Sequence, residues 1–269
     1  MTTFLDQVVA ERAAYVHEAR IRIPAQALDL EHAPVPRSLC SAISRRRPDH
    51  LAVIAEVKRV SPAGGVLAGP GLDPAGLALV YAGAGAAAIS VLTEPLHWGG
   101  SLSDLRAVRA AVKVPVICKD VIVDEYQVRE ARAAGADAVL LIAEALDDER
   151  LAALISATVA LGMEALVEAH EPTAFERAVR TGTRLIGANA RDLRDPGILD
   201  RSRARLLHPL VRPEQLFVAE SGIGSVEDLA ELPARVDAIL VGTALMRARH
   251  PATLVRELAL ARRPLAVAP

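Results

Sequence analysis

Residues 54–62 read IAEVKRVSP, and this stretch ends an apolar, strand-like run with two charged side chains, Glu56 and Lys58. Residues two apart on a strand point to the same face, so the carboxylate and the ammonium project side by side from an element whose neighbours favour burial. Two buried charges are costly unless each has a partner. Either the run is an edge strand with both charges in water, or both charges line a pocket, and the rest of the chain decides between these interpretations.

The run is the first of several short apolar segments rich in β-branched residues, which are candidate strands. They are LAVIAEV at 51–57, AAISVL at 87–92, VPVIC at 114–118, DAVLLI at 137–142, MEALVE at 163–168, RLIGA at 184–188, QLFVA at 215–219 and DAILV at 237–241. Segments with helical spacing separate them, and several begin with a Ser or Asp cap and end at Gly, as in DEYQVREARAAG. Strands that alternate with helices pair in parallel.

Eight strand-helix units after residue 50 predict an α/β protein with a closed (β/α)8 barrel, for which about 250 residues is typical. An open doubly wound sheet needs fewer strands, and no glycine-rich dinucleotide fingerprint follows the first strand. Residues 1–48 stand outside the repeat, with a helix at about 3–20, a proline-bearing link around 24–36 and a helical piece at 37–47. We expect this N-terminal helical extension to pack on a single barrel domain formed by residues 49–269.

The composition argues against several classes of function. A net charge of -2 and an aromatic content of 3% provide neither the basic surface nor the stacking side chains of a nucleic-acid-binding protein. No apolar run approaches the roughly 20 residues that span a bilayer, and the N-terminus has no signal-peptide core, so we expect a cytoplasmic protein without a membrane partner. Cys40 and Cys118 lie far apart without a partner motif, so neither a disulfide nor a metal site is expected.

Polar side chains gather at the predicted strand ends, and the C-terminal ends of the strands carry the active sites of (β/α)8 barrels. These side chains are Glu56 and Lys58 of the first strand, Lys119 and Asp120 of the third, Glu168 of the fifth, Asn189 and Arg191 of the sixth, and Glu220 and Ser221 of the seventh. Any one of them could be a helix cap or part of an ion pair. Their gathering on one rim favours a pocket in which Glu56 and Lys58 find partners of opposite charge.

The last two strand ends have a different character, ESGIGS at 220–225 and VGTALM at 241–246. Glycine beside a small hydroxyl residue at a helix start leaves backbone N–H groups open to an anion. The loops after strands seven and eight are also the usual phosphate site of such barrels. The pattern predicts a phosphorylated small-molecule substrate, and ordinary tight turns are the alternative.

Several of these motifs, taken together, resemble in order and spacing those of the indole-3-glycerol phosphate synthase family of tryptophan biosynthesis. They are IAEVKRVSP, ISVLTE, KDVIVDEYQV, GADAVLLI, LVEAH, IGANARDL, VAESGI and ILVGTALM. The match runs from about residue 50 to about residue 250, and the N-terminal helices fit the extension that this family places before its barrel. The resemblance implies a carbon-carbon lyase that uses no metal or organic cofactor, with other tryptophan-pathway enzymes as candidate partners.

The family's reaction closes the indole ring of a carboxyphenylamino-deoxyribulose phosphate, with loss of carbon dioxide and then of water. The resemblance implies Lys119 as the general acid at the ketone oxygen, Lys58 as the partner of the substrate carboxylate, and Glu168 as the base. Glu56 would give electrostatic support. Two lysines in one cleft would lower each other's pKa toward useful acidity, while Glu56 would oppose that lowering. How the two lysines divide the acid steps stays open.

The resemblance also implies residues that bind the substrate around these catalytic groups. Asn189 and Ser221 would hold its hydroxyl groups, and Arg191 would bind its phosphate together with backbone N–H groups. The predicted lining comprises Ser61, Arg191, Glu220, Ser221, Gly222, Gly242 and Thr243 on the polar side, and Trp98, Val121, Leu140 and Leu193 on the side of the aromatic ring.

Some positions depart from the family pattern, and they keep alternative functions open. Val121 stands where Phe is usual, Ala188 and Ala190 flank the asparagine where larger or polar residues are usual, and SPAGG lacks a common basic residue. We expect these changes to remove bulk or contacts near the pocket. The alternatives are a paralogue that acts on a modified anthranilate and a non-catalytic phosphosugar-binding paralogue. A phosphoribosylanthranilate isomerase would normally use a Cys at the first strand, where this chain has Glu56 and Lys58.

Overall fold

The first predicted strand is part of a closed parallel sheet. The structure, a computed structural model, describes residues 2–44 and 50–262, and within these ranges eight parallel strands close into one barrel. In chain order they are β1 (Ala52–Val57), β2 (Ala88–Leu92), β3 (Val116–Lys119), β4 (Ala138–Ile142), β5 (Glu164–Ala169), β6 (Leu185–Asn189), β7 (Leu216–Glu220) and β8 (Ala238–Val241). Ile54 of β1 pairs with both Ala88 of β2 and Leu240 of β8, which closes the sheet. The predicted (β/α)8, or TIM, barrel is therefore confirmed.

Helices alternate with these strands, as the sequence pattern predicts. The described helices are α1 (Phe4–Arg22), α2 (Leu39–Ser44), α3 (Pro74–Gly83), α4 (Leu102–Ala111), α5 (Glu125–Ala133), α6 (Asp148–Ala160), α7 (Pro172–Arg180), α8 (Arg203–Leu207), α9 (Thr243–Arg247) and α10 (Pro251–Leu260). Single 3-10 turns lie at Ala25–Ala27, Ala143–Ala145, His208–Leu210 and Glu227–Glu231. Asp124 caps α5 by accepting a hydrogen bond from the N–H of Tyr126 at 2.7 Å. No helix in the described part of the chain is long and apolar enough to cross a membrane.

Two apolar layers hold the barrel together, because successive side chains of a strand point to opposite faces. Ala52 and Ile54 of β1 belong to the cluster inside the barrel, whereas Val53 and Ala55 belong to the layer between the strands and the helices. Glu56 follows Ala52 and Ile54 at the same spacing, so its side chain lies on the inner face at the C-terminal end of β1.

Helix α2 closes the N-terminal end of the barrel. Its residues Leu39, Cys40 and Ile43 are buried in the inner cluster. Glu164, the first residue of β5, accepts hydrogen bonds from Ser38 Oγ and from the N–H of Cys40, both at 2.8 Å. The apolar contacts and this carboxylate together place α2 at the strand starts.

Helix α1 lies at the opposite end, beside the C-terminal ends of the strands. Arg12 forms a buried ion pair with Asp120, which directly follows β3, with 2.9 Å between Nε and Oδ1. The Nη2 group of Arg12 donates to Oδ2 of the same carboxylate at 3.0 Å. The N–H of Phe4 donates to the carbonyl of Arg194 at 3.1 Å. The segment that precedes the barrel therefore contacts both of its ends.

The predicted helical piece at 37–47 overlaps α2, and its residues 45–47 lie outside the described residues. The predicted boundary between residues 48 and 49 also lies outside them. The division of the chain into an extension and a barrel domain therefore stays a prediction.

Replacing Arg12 by Met should lower the free energy of unfolding by about 3 to 5 kcal/mol at neutral pH, because the change leaves Asp120 buried without its cation. Met retains an apolar stem, so the loss reports mainly the missing charge. Urea unfolding followed by circular dichroism measures it. Arg20→Met on the same helix is the matched control, since Arg20 is 49% exposed in its 2.6 Å ion pair with Asp124. We expect the control to cost about 1 kcal/mol or less.

The cost of Arg12→Met should also depend on pH. Burial raises the pKa of Asp120 to about 6 even though Arg12 and the hydroxyl of Thr93 oppose the shift. A carboxyl group whose folded pKa lies above its unfolded value favours the folded state at low pH, and this contribution is lost as the pH rises through the folded pKa. The destabilisation should therefore be smaller at pH 5 than at pH 8. A loss that is equal at both values, or equal to that of Arg20→Met, would contradict the buried-charge explanation.

Candidate active site

The C-terminal ends of the strands surround a cavity of about 390 Å³. Every residue that the sequence predicts for the site lines it. The predicted catalytic residues are Glu56, Lys58, Lys119, Glu168 and Asn189, and the predicted binding residues are Ser61, Trp98, Val121, Leu140, Arg191, Leu193, Glu220, Ser221, Gly222, Gly242 and Thr243. The fold brings together residues that are spread along the chain from Glu56 to Thr243. Their individual roles stay predictions.

Glu56 and Lys58 form a shielded ion pair, not an exposed one. The Nζ of Lys58 lies 2.7 Å from Oε1 of Glu56, and their side chains are only 13% and 3% exposed. Gly242 makes room for the pair, because a Cβ atom at that position would overlap Glu56 Oε1 and lie 2.9 Å from Lys58 Nζ. The edge-strand interpretation is therefore wrong, and the two charges line the pocket. Oε2 of Glu56 is buried and has no hydrogen-bond partner within the described ranges.

Lys119, the last residue of β3, lies between two buried carboxylates. Its Nζ is 3.1 Å from Oε2 of Glu168 and 3.4 Å from Oε2 of Glu220, and both carboxylate side chains are 1% exposed. Asn189 donates from Nδ2 to the other oxygen of Glu168 at 3.3 Å. The backbone carbonyl of Asn189 contacts Nδ1 of the buried His170 at 2.8 Å. The end of β6 is thus anchored beside the end of β5.

The carboxylates around Lys119 determine its protonation in the free protein. Burial acts to lower the pKa of Lys119, but the negative charges of Glu168, Glu220 and Glu56 outweigh burial and raise that pKa above its usual range. The expected lowering of the Lys119 pKa is therefore wrong for the free site. Burial, followed by the nearby charge of Glu168, raises the pKa of Glu220 well above its ordinary value, although Lys119 opposes the shift. In the free site, Lys119 therefore keeps its proton to higher pH than an ordinary lysine, and Glu220 keeps its proton to higher pH than an ordinary glutamate.

The loops after β7 and β8 have the local geometry of an anion site. Ser221 and Gly222 adopt left-handed backbone angles, with φ of 68° and 76°, and both line the cavity together with Gly242 and Thr243. The N–H groups of the following residues, Gly224 and Ser225, donate to Asp228 at 2.7 and 2.9 Å. The part of the ESGIGS motif that remains open to a ligand is therefore Ser221 and Gly222.

An apolar wall lies across the cavity from these loops, and it includes Trp98, Val121, Leu140 and Leu193. The Trp98 loop is held by Glu94, whose carboxylate accepts hydrogen bonds from the N–H groups of three successive loop residues, Leu96, His97 and Trp98, at 3.0, 2.6 and 3.1 Å. Phe4 of α1 packs edge-on against Trp98, with 5.8 Å between ring centroids. The extension thereby helps to position the only tryptophan of the chain.

The departures from the family pattern have unequal consequences for this cavity. Val121 lines the cavity, so a valine in place of the usual Phe leaves the cavity wider beside the apolar wall. Ala188 instead packs in the outer layer between strands and helices, and neither Ala188 nor Ala190 is among the residues that line the cavity. The expectation that both alanines remove bulk near the pocket is therefore wrong, because strand alternation turns them away from it.

Three charged residues at the cavity were missed by the sequence interpretation, namely Glu94, Arg201 and Arg247. Glu94 is the second residue after β2, at the end of ISVLTE, so the strand-end rule could have found it. Arg201 lies in the long loop after β6, and Arg247 ends the short helix after β8. No local pattern marks these two arginines, because loop length decides whether their side chains reach the rim.

Arg191 is a half-buried cation of the cavity. Its Nη1 donates to the carbonyl of Pro196 at 2.5 Å, and burial lowers its pKa. Within the described ranges, no carboxylate lies within 4.0 Å of its guanidinium. An uncompensated guanidinium that lines a pocket favours an anionic ligand.

Among the described residues, one group of possible metal ligands lies beside the site. Atoms of His170, Glu171 and Asp192 come within 4.8 Å of one another. Arg194 already bridges the two carboxylates at 2.8 Å to Glu171 and 2.7 Å to Asp192. The guanidinium balances the charge that a metal ion would otherwise meet, so this group is explained as an ion-pair network.

The fold and the cavity define a (β/α)8-barrel enzyme with a lysine-carboxylate site and an adjoining anion site. Comparison with known proteins places the chain more narrowly, since the family model described as indole-3-glycerol phosphate synthase matches residues 5–258. The chain belongs to the indole-3-glycerol phosphate synthase family. The predicted family is confirmed, and with it the expectation of a lyase of tryptophan biosynthesis.

Individual relatives agree with the family match. The indole-3-glycerol phosphate synthase of Parafrankia sp. (strain EAN1pec) is 47% identical over 255 residues, which cover 94% of this chain and 92% of the relative. That of Roseiflexus sp. (strain RS-1) is 45% identical over 270 residues, with 96% and 98% covered. Among solved structures, the crystal structure of KGPDC from Streptococcus mutans matches with a TM-score of 0.58 at 14% identity, covering 77% of this chain and 95% of that one. This last likeness concerns the fold alone.

Gly187→Ala should impair the site directly. A methyl group at this position in β6 would overlap Oε1 of Glu220 and lie 3.1 Å from Cβ of Glu168. Both carboxylates would have to move relative to Lys119, so we expect kcat to fall at least tenfold and the free energy of unfolding to fall by about 1 to 3 kcal/mol. Gly69→Ala is the matched control, because its added methyl group would meet no atom within 4 Å. Unchanged turnover in folded Gly187→Ala would show that the spacing of the two carboxylates does not matter.

Proposed function

We propose that the chain is an indole-3-glycerol phosphate synthase that acts on 1-(2-carboxyphenylamino)-1-deoxy-D-ribulose 5-phosphate. The product is indole-3-glycerol phosphate, formed with release of carbon dioxide and water. The observation that carries the proposal is Lys119 Nζ at 3.1 Å from Glu168 and 3.4 Å from Glu220, in the cavity that also holds the Lys58–Glu56 pair. A buried acid, a base and a second cation in one cavity are what this condensation requires.

The first chemical step joins the ring carbon that bears the carboxylate to the ketone carbon of the sugar. As this bond forms, the ketone oxygen takes a proton from Lys119, and the positive charge left in the ring is relieved when the carbon-carbon bond to the carboxylate breaks. Lys58 pairs with the carboxylate before it leaves as carbon dioxide. The apolar wall formed by Trp98, Val121, Leu140 and Leu193 holds the ring and keeps water away.

The second step removes the new hydroxyl group as water. The leaving oxygen accepts a further proton from a lysine ammonium as its bond to carbon breaks. Glu168 takes the proton lost from the neighbouring carbon, the one bonded to nitrogen, and these two carbons form the double bond of the indole ring. Glu56 supports the cationic partners electrostatically, and its unpartnered oxygen is a buried acceptor for a donor group of the substrate. The high pKa of Lys119 keeps it protonated until the substrate arrives.

Binding contacts complete the assignment. Asn189 and Ser221 hold the sugar hydroxyl groups, and Arg191 binds the phosphate with the backbone of the loops at Ser221–Gly222 and Gly242–Thr243. Ser61 and Glu220 complete the polar lining. We further propose that the protein works in the cytoplasm without a metal or organic cofactor, and that its partners are the phosphosugar substrate and other enzymes of the tryptophan pathway, with no role in nucleic-acid or membrane binding.

A second candidate function rests on Val121, which widens the ring side of the cavity. A paralogue that accepts a substituted anthranilate ring would benefit from this space. Comparing turnover of ring-methylated substrates with that of the unsubstituted substrate discriminates the two, since the biosynthetic enzyme should prefer the unsubstituted ring.

The direct test is to mix chelator-treated protein with the carboxyphenylamino-deoxyribulose phosphate and to follow indole fluorescence. We expect product without added metal, and Lys119→Met should lower kcat by about 10² to 10⁴ because the general acid is lost. Retention of phosphate-dependent binding by the variant serves as the control for folding. Full turnover in Lys119→Met would contradict the assigned acid, and a wild-type protein without indole formation would contradict the proposed reaction.

Glu220→Gln should move the alkaline limb of the pH profile of kcat/KM to lower pH. The pKa of Lys119 is raised because the charges of nearby carboxylates, Glu220 among them, outweigh the opposing effect of burial. Removing that charge lets the ammonium lose its proton at lower pH, so the active form disappears earlier as the pH rises. Glu214→Gln at an exposed surface position is the control and should leave the profile in place. A shift of the limb to higher pH would contradict the electrostatic explanation.

A further inference from the structure

The cations of the cavity differ in whether a carboxylate already compensates them. Lys58 pairs with Glu56, and Lys119 pairs with Glu168 and Glu220. Arg201 pairs with Asp228 at 2.6 Å. Arg247 lines the same cavity, yet no carboxylate of the described residues lies within 4.0 Å of its guanidinium.

Arg247 is placed between the anion loops and the loop that follows the catalytic strand β1. It ends helix α9, which begins directly after Gly242 in the loop of β8. Its Nη2 donates to the carbonyl of Gly64 at 2.9 Å. Gly64 lies in the turn of a short antiparallel hairpin, Val60–Ser61 with Gly65–Val66, that follows Lys58.

The hairpin is already attached on its other side. The N–H of Val60 donates to the carbonyl of Trp98 at 3.1 Å. Arg59, which precedes the hairpin, pairs with Asp104 of α4, with 3.2 Å between Nη2 and Oδ1. Arg247 therefore attaches the hairpin to the helix that follows β8, the strand next to β1.

A guanidinium has five N–H donors in a planar fork, and the bond to Gly64 uses one of them. The remaining donors are available to a ligand at the rim, where Arg247, Ser61 and Thr243 line the cavity together. Planar, charge-assisted pairing is the usual way in which arginine binds phosphate.

We propose that Arg247 is a further phosphate-binding residue, which pairs with the phosphate of the substrate and, through Gly64, holds the hairpin of residues 60–66 over it. The inference deepens the proposed function and rests on it for the identity of the phosphosugar. The same guanidinium then both binds the phosphate and holds the hairpin that carries Ser61 in place.

The test uses a signal that does not depend on turnover. Trp98 is the single tryptophan of the chain and lines the cavity, so its fluorescence can be titrated with inorganic phosphate in the full-length protein. Arg247→Met should weaken phosphate binding roughly tenfold, the effect of one charge-assisted hydrogen bond from an exposed side chain. Arg247→Lys, which keeps the charge but loses the fork, should lie between the wild type and Arg247→Met.

Two further arginines provide controls. Arg205→Met should leave phosphate binding unchanged, because Arg205 donates to the carbonyl of Glu231 at 2.8 Å and does not line the cavity. Arg201→Met should weaken binding less than Arg247→Met, because Asp228 already compensates Arg201. In turnover assays, Arg247→Met should raise KM for the phosphorylated substrate about tenfold and raise it much less for the dephosphorylated substrate.

The possible outcomes separate this inference from the proposed function. If phosphate binding depends on Arg247 while the wild-type protein forms no indole product, the phosphate site stands and the proposed reaction falls. If the wild-type protein forms the product and Arg247→Met binds phosphate as tightly as the wild type, the reaction stands and the role of Arg247 is refuted. An equal loss in Arg205→Met would also refute it, because the effect would then be one of general surface charge.

Discussion

Buried charge inside the closed sheet is the constraint on which the rest of this structure depends. The barrel turns every second side chain inward, and at the C-terminal strand ends this places Glu56, Glu168 and Glu220 in one shielded space. Three carboxylates there would repel one another without cations. Lys58 and Lys119 compensate them at 2.7 to 3.4 Å. The arrangement requires space as well as charge. Gly187 and Gly242 provide the space, because a Cβ atom at either position would overlap the carboxylate of Glu220 or Glu56.

The N-terminal helices make this arrangement possible from outside the barrel. Helix α2 fills the N-terminal opening with apolar side chains, so the inner face of the barrel below the charged layer is apolar. Helix α1 lies at the other end, where Arg12 neutralises the carboxylate next to Lys119 and Phe4 packs against Trp98. A helix remote in sequence thus contributes to the charge balance and to the shape of the site.

The site divides into regions that match the parts of the proposed substrate. The compensated lysine-carboxylate cluster is suited to proton transfer, the apolar wall to an aromatic ring, and the rim to an anion. At the rim, Arg191 and Arg247 are the cations whose charge no carboxylate within the described ranges compensates. In the proposed function, the paired lysines supply protons and the two uncompensated arginines bind the phosphate.

Much of this could be predicted from the sequence, since strand and helix periodicities are local and the rule that barrel sites lie at strand ends needs only strand order. Those features determined the barrel and many of the residues that line its cavity, but not Arg201 and Arg247. Only the tertiary structure decided which charges pair, because Arg12 and Asp120 are 108 residues apart, and Arg247 and Gly64 are 183 apart. It likewise decided that Lys119 has a raised pKa and that Ala188 faces away from the cavity. Contacts between distant segments and the shielding around a charge depend on how the whole barrel closes, and no local pattern contains that information.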